Sequence, residues 1–142
     1  AMGRIPAYVD TGLNIVHVDD VAKGHFLAYK RGVIGERYIL GGENLTLLEV
    51  LSDIAKITGK QSPKYRVPHN LILPLSYCVE GWARIFGLSD PFITVDGIKM
   101  AKKKMFFSSG KAENALGYCS RPAINAFNDA VTWLRETGQL DS

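Results

Sequence analysis

The stretch that decides the fold lies at residues 11–25 and has the sequence TGLNIVHVDDVAKGH. Residues 13–18 are rich in β-branched side chains, which favour a strand. Asp19 follows them and is well placed to accept hydrogen bonds from the free N–H groups at a helix start. The stretch therefore predicts a strand that passes into a helix over residues 20–31, ended by Gly32.

The predicted helix at 20–31 is apolar on most of its sides. A helix of this kind is expected to be buried on more than one side. Beyond it, residues 36–40 (ERYIL) lie between Gly35 and Gly41 and predict a further short strand. The apolar helix positions are Val21, Ala22, Phe26, Leu27, Ala28 and Tyr29.

The clearest single element begins at Thr46. Thr46 and Glu49 have the T-x-x-E spacing of a capping box, in which each side chain satisfies a free backbone N–H. Gly59 supplies a C-terminal stop. The apolar residues between them recur at helical spacing and predict one buried face: Leu47, Val50, Leu51, Ile54 and Ile57.

The remaining chain predicts mostly helix. After an extended run at 62–67, we expect helices over 70–86, from Thr94 to about 102, from Ser109 to Gly117, and from Pro122 to Gly138. The total is about six helices and two to four short strands in one domain, 1–142. Strands that alternate with helices indicate a helix-rich α/β fold and the trailing end of a parallel sheet.

Composition excludes several classes of protein. The chain has 142 residues, 46% hydrophobic and 22% charged, and a formal net charge of +3, which is too weakly basic to indicate nucleic-acid binding. Cys78 and Cys119 form no CxxC pair, so a metal ribbon or disulfide framework is not indicated. No apolar run approaches about 18 residues, and no signal-peptide pattern opens the chain. We therefore expect a cytoplasmic protein without a membrane span.

Three stretches, in order, resemble the extended short-chain dehydrogenase/reductase family. They are the passage at 11–25, the sequence GERYILGGENLT at 35–46, and SSGKA with LGY within 108–118. They are similar to the family's strand–Asp–helix passage, a later strand and helix start, and a late helix. Within the family, PAYV at 6–9, MFF at 105–107 and Trp133 are most similar to hopanoid-associated sugar epimerases and dihydroflavonol-4-reductase-like proteins.

The resemblance implies a two-part enzyme. In this family a Rossmann half carries a glycine-rich phosphate loop and a Tyr-x-x-x-Lys catalytic pair, and binds NAD or NADP. None of the six tyrosines here has a lysine four residues later. Gly41 and Gly42 follow the predicted strand but lack a third glycine, which makes them a poor phosphate cradle. We therefore expect no catalytic and no cofactor-binding residues in this chain, and no glycine-rich cofactor half.

The same resemblance points to the substrate side. Nucleotide-sugar epimerases of the family carry an arginine before the HV passage, where this chain has Leu13, and a late arginine, where it has lysines at 102–104. A UDP-sugar substrate is therefore not supported by these positions. The candidate substrate-binding residues are Tyr8, Val9, Leu13, Trp82 and Phe92, for each of which simple packing remains the alternative.

Other polar residues have simpler structural explanations. His17 and His25 lack the carboxylates or cysteines that would complete a metal site, so a structural role is favoured. Asp19 and Asp20 are favoured as helix-capping acids rather than paired catalytic acids. Lys99 and the lysines at 102–104 are favoured as a solvated face over a phosphate or nucleic-acid site.

These observations lead to one functional hypothesis and one alternative. The hypothesis is a substrate-side, structural portion of an NAD(P)-dependent sugar epimerase, dehydratase or reductase that is not catalytic alone. The alternative is a non-catalytic binding or assembly module, either a split-gene subunit or a decayed enzyme. Some strand edges and apolar surface of this chain would face a missing Rossmann half. We therefore expect that half to be a partner of the chain, and we also expect homo-oligomers.

Overall fold

A computed structural model describes residues 7–68, 70 and 101–140 of the chain. Two of the six predicted helices, at 70–86 and from Thr94 to about 102, lie almost wholly outside these residues. The other four were found. The elements are β1 (Ala7–Val9), β2 (Gly12–Ile15), α1 (Val18–Arg31), β3 (Glu43–Thr46), α2 (Leu47–Thr58), β4 (Tyr65–Val67), α3 (Gly110–Leu116) and α4 (Ala123–Glu136).

The strands form two separate pairs. β1 and β4 pair in parallel, with Tyr8 opposite Arg66. β2 and β3 pair antiparallel, with Leu13 opposite Leu45, and a parallel bridge links Leu13 to Met105. The described strands thus form a helix-rich α/β arrangement, in which the expected parallel pairing holds for β1 and β4. β2 instead pairs antiparallel with β3, which the chain reaches through α1.

The prediction for α2 is confirmed at both ends. The Thr46 side chain accepts from the Glu49 backbone N–H, and the Glu49 carboxylate accepts from the Thr46 backbone N–H at 2.7 Å. Gly59 ends the helix in the left-handed conformation, which favours glycine because it has no Cβ. The helix packs against α4 and forms one core. Its members are Val50, Ala123 and Phe127, with Ile15, Leu45, Ile54 and Ile57 packed around them.

A second core joins α1 to α3. Ala112, Leu116 and Tyr118 are buried at its centre. The Tyr118 hydroxyl donates to the backbone oxygen of Gly41 at 3.0 Å, and burial raises the pKa of this phenol. Leu27, Ala28, Tyr38 and Leu40 pack around this centre. The two cores together place the β2–α1 junction between α3 and α4.

Two strand predictions require correction. The strand predicted at 13–18 is shorter and earlier, over Gly12–Ile15, and residues 36–40 form no strand. A strand needs a hydrogen-bonded neighbour, and the pairing partner of β2 is Glu43–Thr46 instead. The side chains at 38 and 40 serve the second core rather than a sheet, and the Tyr38 hydroxyl accepts from the Val33 N–H.

The start and the outer face of α1 also differ from the prediction. His17, not Asp19, is the N-cap, and its Nδ1 accepts from the Asp19 N–H at 3.2 Å. α1 packs on the second core through Leu27 and Ala28, but its other side is open: Tyr29 is 88% exposed and Phe26 is 57% exposed. Burial on more than one side was therefore wrong for the described residues.

Candidate functional site

A pocket of about 580 Å³ lies between the β2–α1 junction and α4. The junction contributes the strand end and the helix cap, and α4 contributes one face of its last two turns. Small residues on α4 leave the space open, and Trp133 forms one wall. The lining residues are Val16, His17, Val18, Asp19, Ala126, Asp129, Ala130, Trp133 and Leu134.

His17 is the most deeply placed polar residue of this pocket, at 4% exposure. Its Nε2 lies 2.7 Å from Asp129 Oδ2. Because Nδ1 accepts the Asp19 N–H, the ring proton resides on Nε2, which donates to the carboxylate. The pair thus joins the cap of α1 to the middle of α4.

A histidine hydrogen-bonded to a carboxylate is also found in catalytic triads, yet the His17–Asp129 pair is not suited to base catalysis. A general base needs a free ring nitrogen within reach of the proton that it removes. Here both nitrogens of His17 are engaged, one by Asp129 and one by the helix cap. The predicted structural role of His17 agrees with this geometry. Within residues 7–68 and 101–140, no group of three His, Cys, Asp or Glu side chains is arranged to hold a metal ion.

Asp20 forms a buried ion pair with Arg121. Its carboxylate is 2% exposed and accepts from Arg121 Nε at 2.9 Å and from the Arg121 backbone N–H at 2.8 Å. These hydrogen bonds lower the pKa of Asp20, against the effect of burial, and they raise the pKa of the Arg121 guanidinium. The contact fixes α1 to the loop between α3 and α4. Asp20 thus has a structural role, but the prediction that it caps the helix was wrong, because His17 is the N-cap and Asp20 binds the side chain and the backbone N–H of Arg121.

The glycine pair at 41–42 is held by side chains. The Gly41 N–H donates to Ser109 Oγ at 3.1 Å, and the Gly42 N–H donates to Asn14 Oδ1 at 2.8 Å. A phosphate cradle requires free N–H groups, and both of these are taken. Ser109 stands at the N-cap position of α3, as predicted, but its hydroxyl makes no cap and binds Gly41 instead.

The predicted substrate-binding residues that the structure describes lie in two strand pairs, and none of them lines the pocket. Tyr8 and Val9 lie half-buried in the β1–β4 pair, whereas Leu13 lies in the β2–β3 pair beside Met105. Trp82 and Phe92 lie outside the described residues. Sequence reasoning did not identify Asp129 or Arg121, whose partners are 112 and 101 positions away. Such long separations leave no local pattern that could reveal them.

No family model matches the chain. Over 141 residues it is 40% identical to a protein of Synechocystis sp. (strain ATCC 27184 / PCC 6803 / Kazusa) that carries the name dihydroflavonol 4-reductase. The match covers 96% of the chain but 41% of that relative. The chain thus spans less than half the length of this relative.

Solved structures are likewise similar to nearly the whole chain, while the chain covers less than half of each of them. The crystal structure of gox2253 is 48% identical, with a TM-score of 0.78, over 98% of the chain and 42% of its own. A nucleoside-diphosphate-sugar epimerase from Pseudomonas aeruginosa is 26% identical, with a TM-score of 0.71, over 98% and 40%. A UDP-glucose 4-epimerase from Bifidobacterium longum, solved with NAD+ and UDP, is 21% identical, with a TM-score of 0.55, over 90% and 31%, and shares the fold.

Proposed function

We propose that this chain belongs to the extended short-chain dehydrogenase/reductases, the family that its sequence resembles, and that it forms their C-terminal, substrate-side portion. In this proposal the whole protein is an NAD(P)-dependent sugar epimerase, dehydratase or reductase, in the cytoplasm. The chain supplies walls of the substrate site, including Tyr8, Val9, Leu13, Trp82 and Phe92. It is not catalytic alone.

One observation carries this proposal. Nearly the whole chain matches relatives, yet the match covers only 40–43% of the length of the nearer ones. A family enzyme needs both a phosphate cradle and a proton-transfer pair. In the described residues, the glycine pair at 41–42 and the buried His17 are fully engaged in contacts within the fold. Their engagement supports a structural rather than a catalytic part for this chain.

The cofactor belongs to the whole protein in this proposal. A reductase or epimerase of this kind moves a hydride, which the nicotinamide ring supplies and the protein only positions. The Bifidobacterium longum epimerase of the same fold was solved with NAD+. This supports NAD or NADP for the whole protein and leaves this chain without a cofactor site of its own.

Titration with NADH and NADPH tests the proposal. The 142-residue chain and the complete product of its native gene are compared by fluorescence titration under the same conditions. We expect no binding by the chain below millimolar concentrations and micromolar binding by the complete product. Micromolar binding by the chain would overturn the proposal, and so would a complete product of about 15.6 kDa, the mass of this chain.

The alternative function is a non-catalytic assembly module, and the open side of α1 favours it. Val18, Phe26 and Tyr29 are exposed there, followed by Val33 and Ile34 beyond the helix end. Apolar surface of this kind marks a contact with a second protein surface. A separate chain that carries the glycine-rich loop and restores NAD(P)H turnover on mixing would support this split-gene form. A homo-oligomer is the other expected outcome, and a monomer in light scattering at high concentration would contradict it.

A further inference from the structure

Residues 102–107 have the sequence KKKMFF and form an exposed surface next to Leu13, which a β-bridge links to Met105. We call this surface the basic–aromatic edge. The three lysines are exposed, and the next three side chains remain between 38% and 49% exposed. Within the described part of the chain, Lys102 and Lys103 have no acidic partner, and Lys104 lies over the ring of Phe106 at 5.9 Å from its centroid.

The backbone of this edge is fixed, so its side chains are presented by the fold rather than by a loose loop. The Met105 N–H donates to the Gly12 oxygen at 2.8 Å and extends the β2 edge. Asn44 binds Phe107 twice: its Nδ2 donates to the Phe107 oxygen at 3.0 Å, and its Oδ1 accepts from the Phe107 N–H at 3.1 Å. The ring of Phe106 lies against the backbone of Gly12, where a Cβ would collide with it.

From this arrangement we propose that the basic–aromatic edge binds the surface of an anionic lipid bilayer. Lysine stems can lie along the interface while their ammonium groups reach the anionic headgroups. Phenylalanine and methionine side chains insert at the boundary between headgroups and acyl chains. The three lysines complement an anionic surface, and apolar side chains lie at the same edge. This combination favours an anionic bilayer over a neutral protein surface.

The geometry favours a bilayer over a nucleic acid. A protein that binds single strands needs a basic groove that tracks the backbone for several nucleotides, with aromatic platforms along it. Here the charge is confined to three consecutive residues, and the net charge of the whole chain is only +3. No helix in the described part of the chain is long and apolar enough to cross a membrane. The binding that we propose is therefore peripheral and weakened by salt.

Vesicle flotation with the full 142-residue chain tests the proposal. The vesicles contain equal parts phosphatidylglycerol and phosphatidylcholine, and pure phosphatidylcholine serves as the neutral reference. We expect binding to the anionic vesicles at low salt, with little to the neutral ones. Each lysine contributes a factor of about five to the partition coefficient. The triple variant K102Q/K103Q/K104Q is therefore expected to bind on the order of a hundredfold less.

A matched triple variant, K23Q/K30Q/K64Q, removes the same net charge from exposed lysines elsewhere. It is expected to lose clearly less than the first triple variant, because the attraction between a lysine and the membrane is screened more strongly as their separation increases. The variant F107S retains the charges and is expected to lose several-fold through its missing apolar insertion. Circular dichroism checks that each variant is folded.

Four results would overturn the proposal. The first is that the chain does not float with anionic vesicles, and the second is that the matched triple variant loses as much vesicle binding as K102Q/K103Q/K104Q. The third is that millimolar glycerol 3-phosphate fully displaces the chain from the vesicles. The fourth is that the chain binds a single-stranded oligonucleotide in place of vesicles. The third would indicate a pocket for a free phosphate, and the fourth a nucleic-acid site. None of these outcomes depends on NAD(P)H binding, so the failure of this inference is separable from failure of the proposed function.

Discussion

α1 and α2 are similar in length and both carry many apolar residues, yet they differ in how much of their apolar surface is covered. α2 places Val50 and Ile54 against α4 and has its apolar face covered. α1 covers only Leu27 and Ala28, through α3, and leaves Phe26 and Tyr29 in solvent. An apolar face needs a partner surface, and α2 finds it within the described chain whereas α1 does not.

In the proposed function, the open side of α1 would contact another part of the protein. Mutations in a covered surface, such as the apolar face of α2, should lower the free energy of unfolding, as mutations in a protein core do. Mutations in an uncovered surface, such as the open side of α1, should change the free energy of unfolding little but should change self-association. The contrast between α1 and α2 can therefore be tested through stability on one side and oligomeric state on the other.

The largest expected effect is on the covered side, at the centre of the α2–α4 core. Phe127→Ala removes a buried ring and leaves a cavity, which is expected to lower the free energy of unfolding by about 3–5 kcal/mol. Urea denaturation measures it. The control Ile124→Ala changes a partly exposed residue of the same helix and is expected to cost much less. Equal losses would mean that the core is not where the structure places it.

The next effect concerns the polar contact that holds α1 to the rest of the chain. Asp20→Asn removes an acceptor oxygen from Arg121 and is expected to cost about 1–3 kcal/mol of unfolding free energy. Asp19→Asn is the control, because that side chain is 63% exposed and its cost should be within about 0.5 kcal/mol. A larger loss at Asp19 than at Asp20 would contradict the assigned roles.

The cost of Asp20→Asn should also depend on pH. The pKa of Asp20 is lower in the folded chain than in the unfolded chain, because Arg121 favours the charged carboxylate. Its stabilisation is therefore full above the unfolded pKa of about 3.9 and is lost as the pH falls below it. The difference in unfolding free energy between the wild type and Asp20→Asn should accordingly shrink below about pH 4. A difference that stays constant from pH 7 to pH 3 would show that the charge of Asp20 is not the cause.

A smaller effect is expected at the start of α2. Thr46→Ala removes the hydroxyl that accepts the Glu49 N–H and is expected to lower the unfolding free energy by about 1 kcal/mol. Thr46→Ser keeps the acceptor and serves as the control, with a loss of less than half as much. Thermal denaturation followed by circular dichroism distinguishes the two. If both variants lose the same amount, the capping hydrogen bond is not what stabilises this helix end.

The smallest effect on stability is expected on the open side of α1. The double variant F26Q/Y29Q replaces exposed rings and should change the unfolding free energy by no more than about 0.5 kcal/mol. Light scattering should nevertheless show less self-association than in the wild type, because the apolar surface has been reduced. A stability loss above 2 kcal/mol would mean that these rings are buried, and the contrast with α2 would fail.

Local signals in the sequence predicted the elements well where one residue acts on its near neighbours. The capping box at Thr46 and the stop at Gly59 act within one helical turn, and both are found as predicted. The order of four helices follows from the same kind of signal. The strand predicted at 36–40 was wrong because a short segment of suitable residues forms a strand only when a neighbouring strand is available to pair with it.

In the described part of the chain, the sequence by itself determined the existence and order of four helices, the capping of α2 and the resemblance to a family of reductases and epimerases. These depend on residue types within short windows. Only the tertiary structure decided that His17 binds Asp129, that Asp20 binds Arg121, and that Ser109 binds Gly41. The physical reason is that these partners are 68 to 112 positions apart, and such contacts depend on how the elements pack rather than on any local pattern.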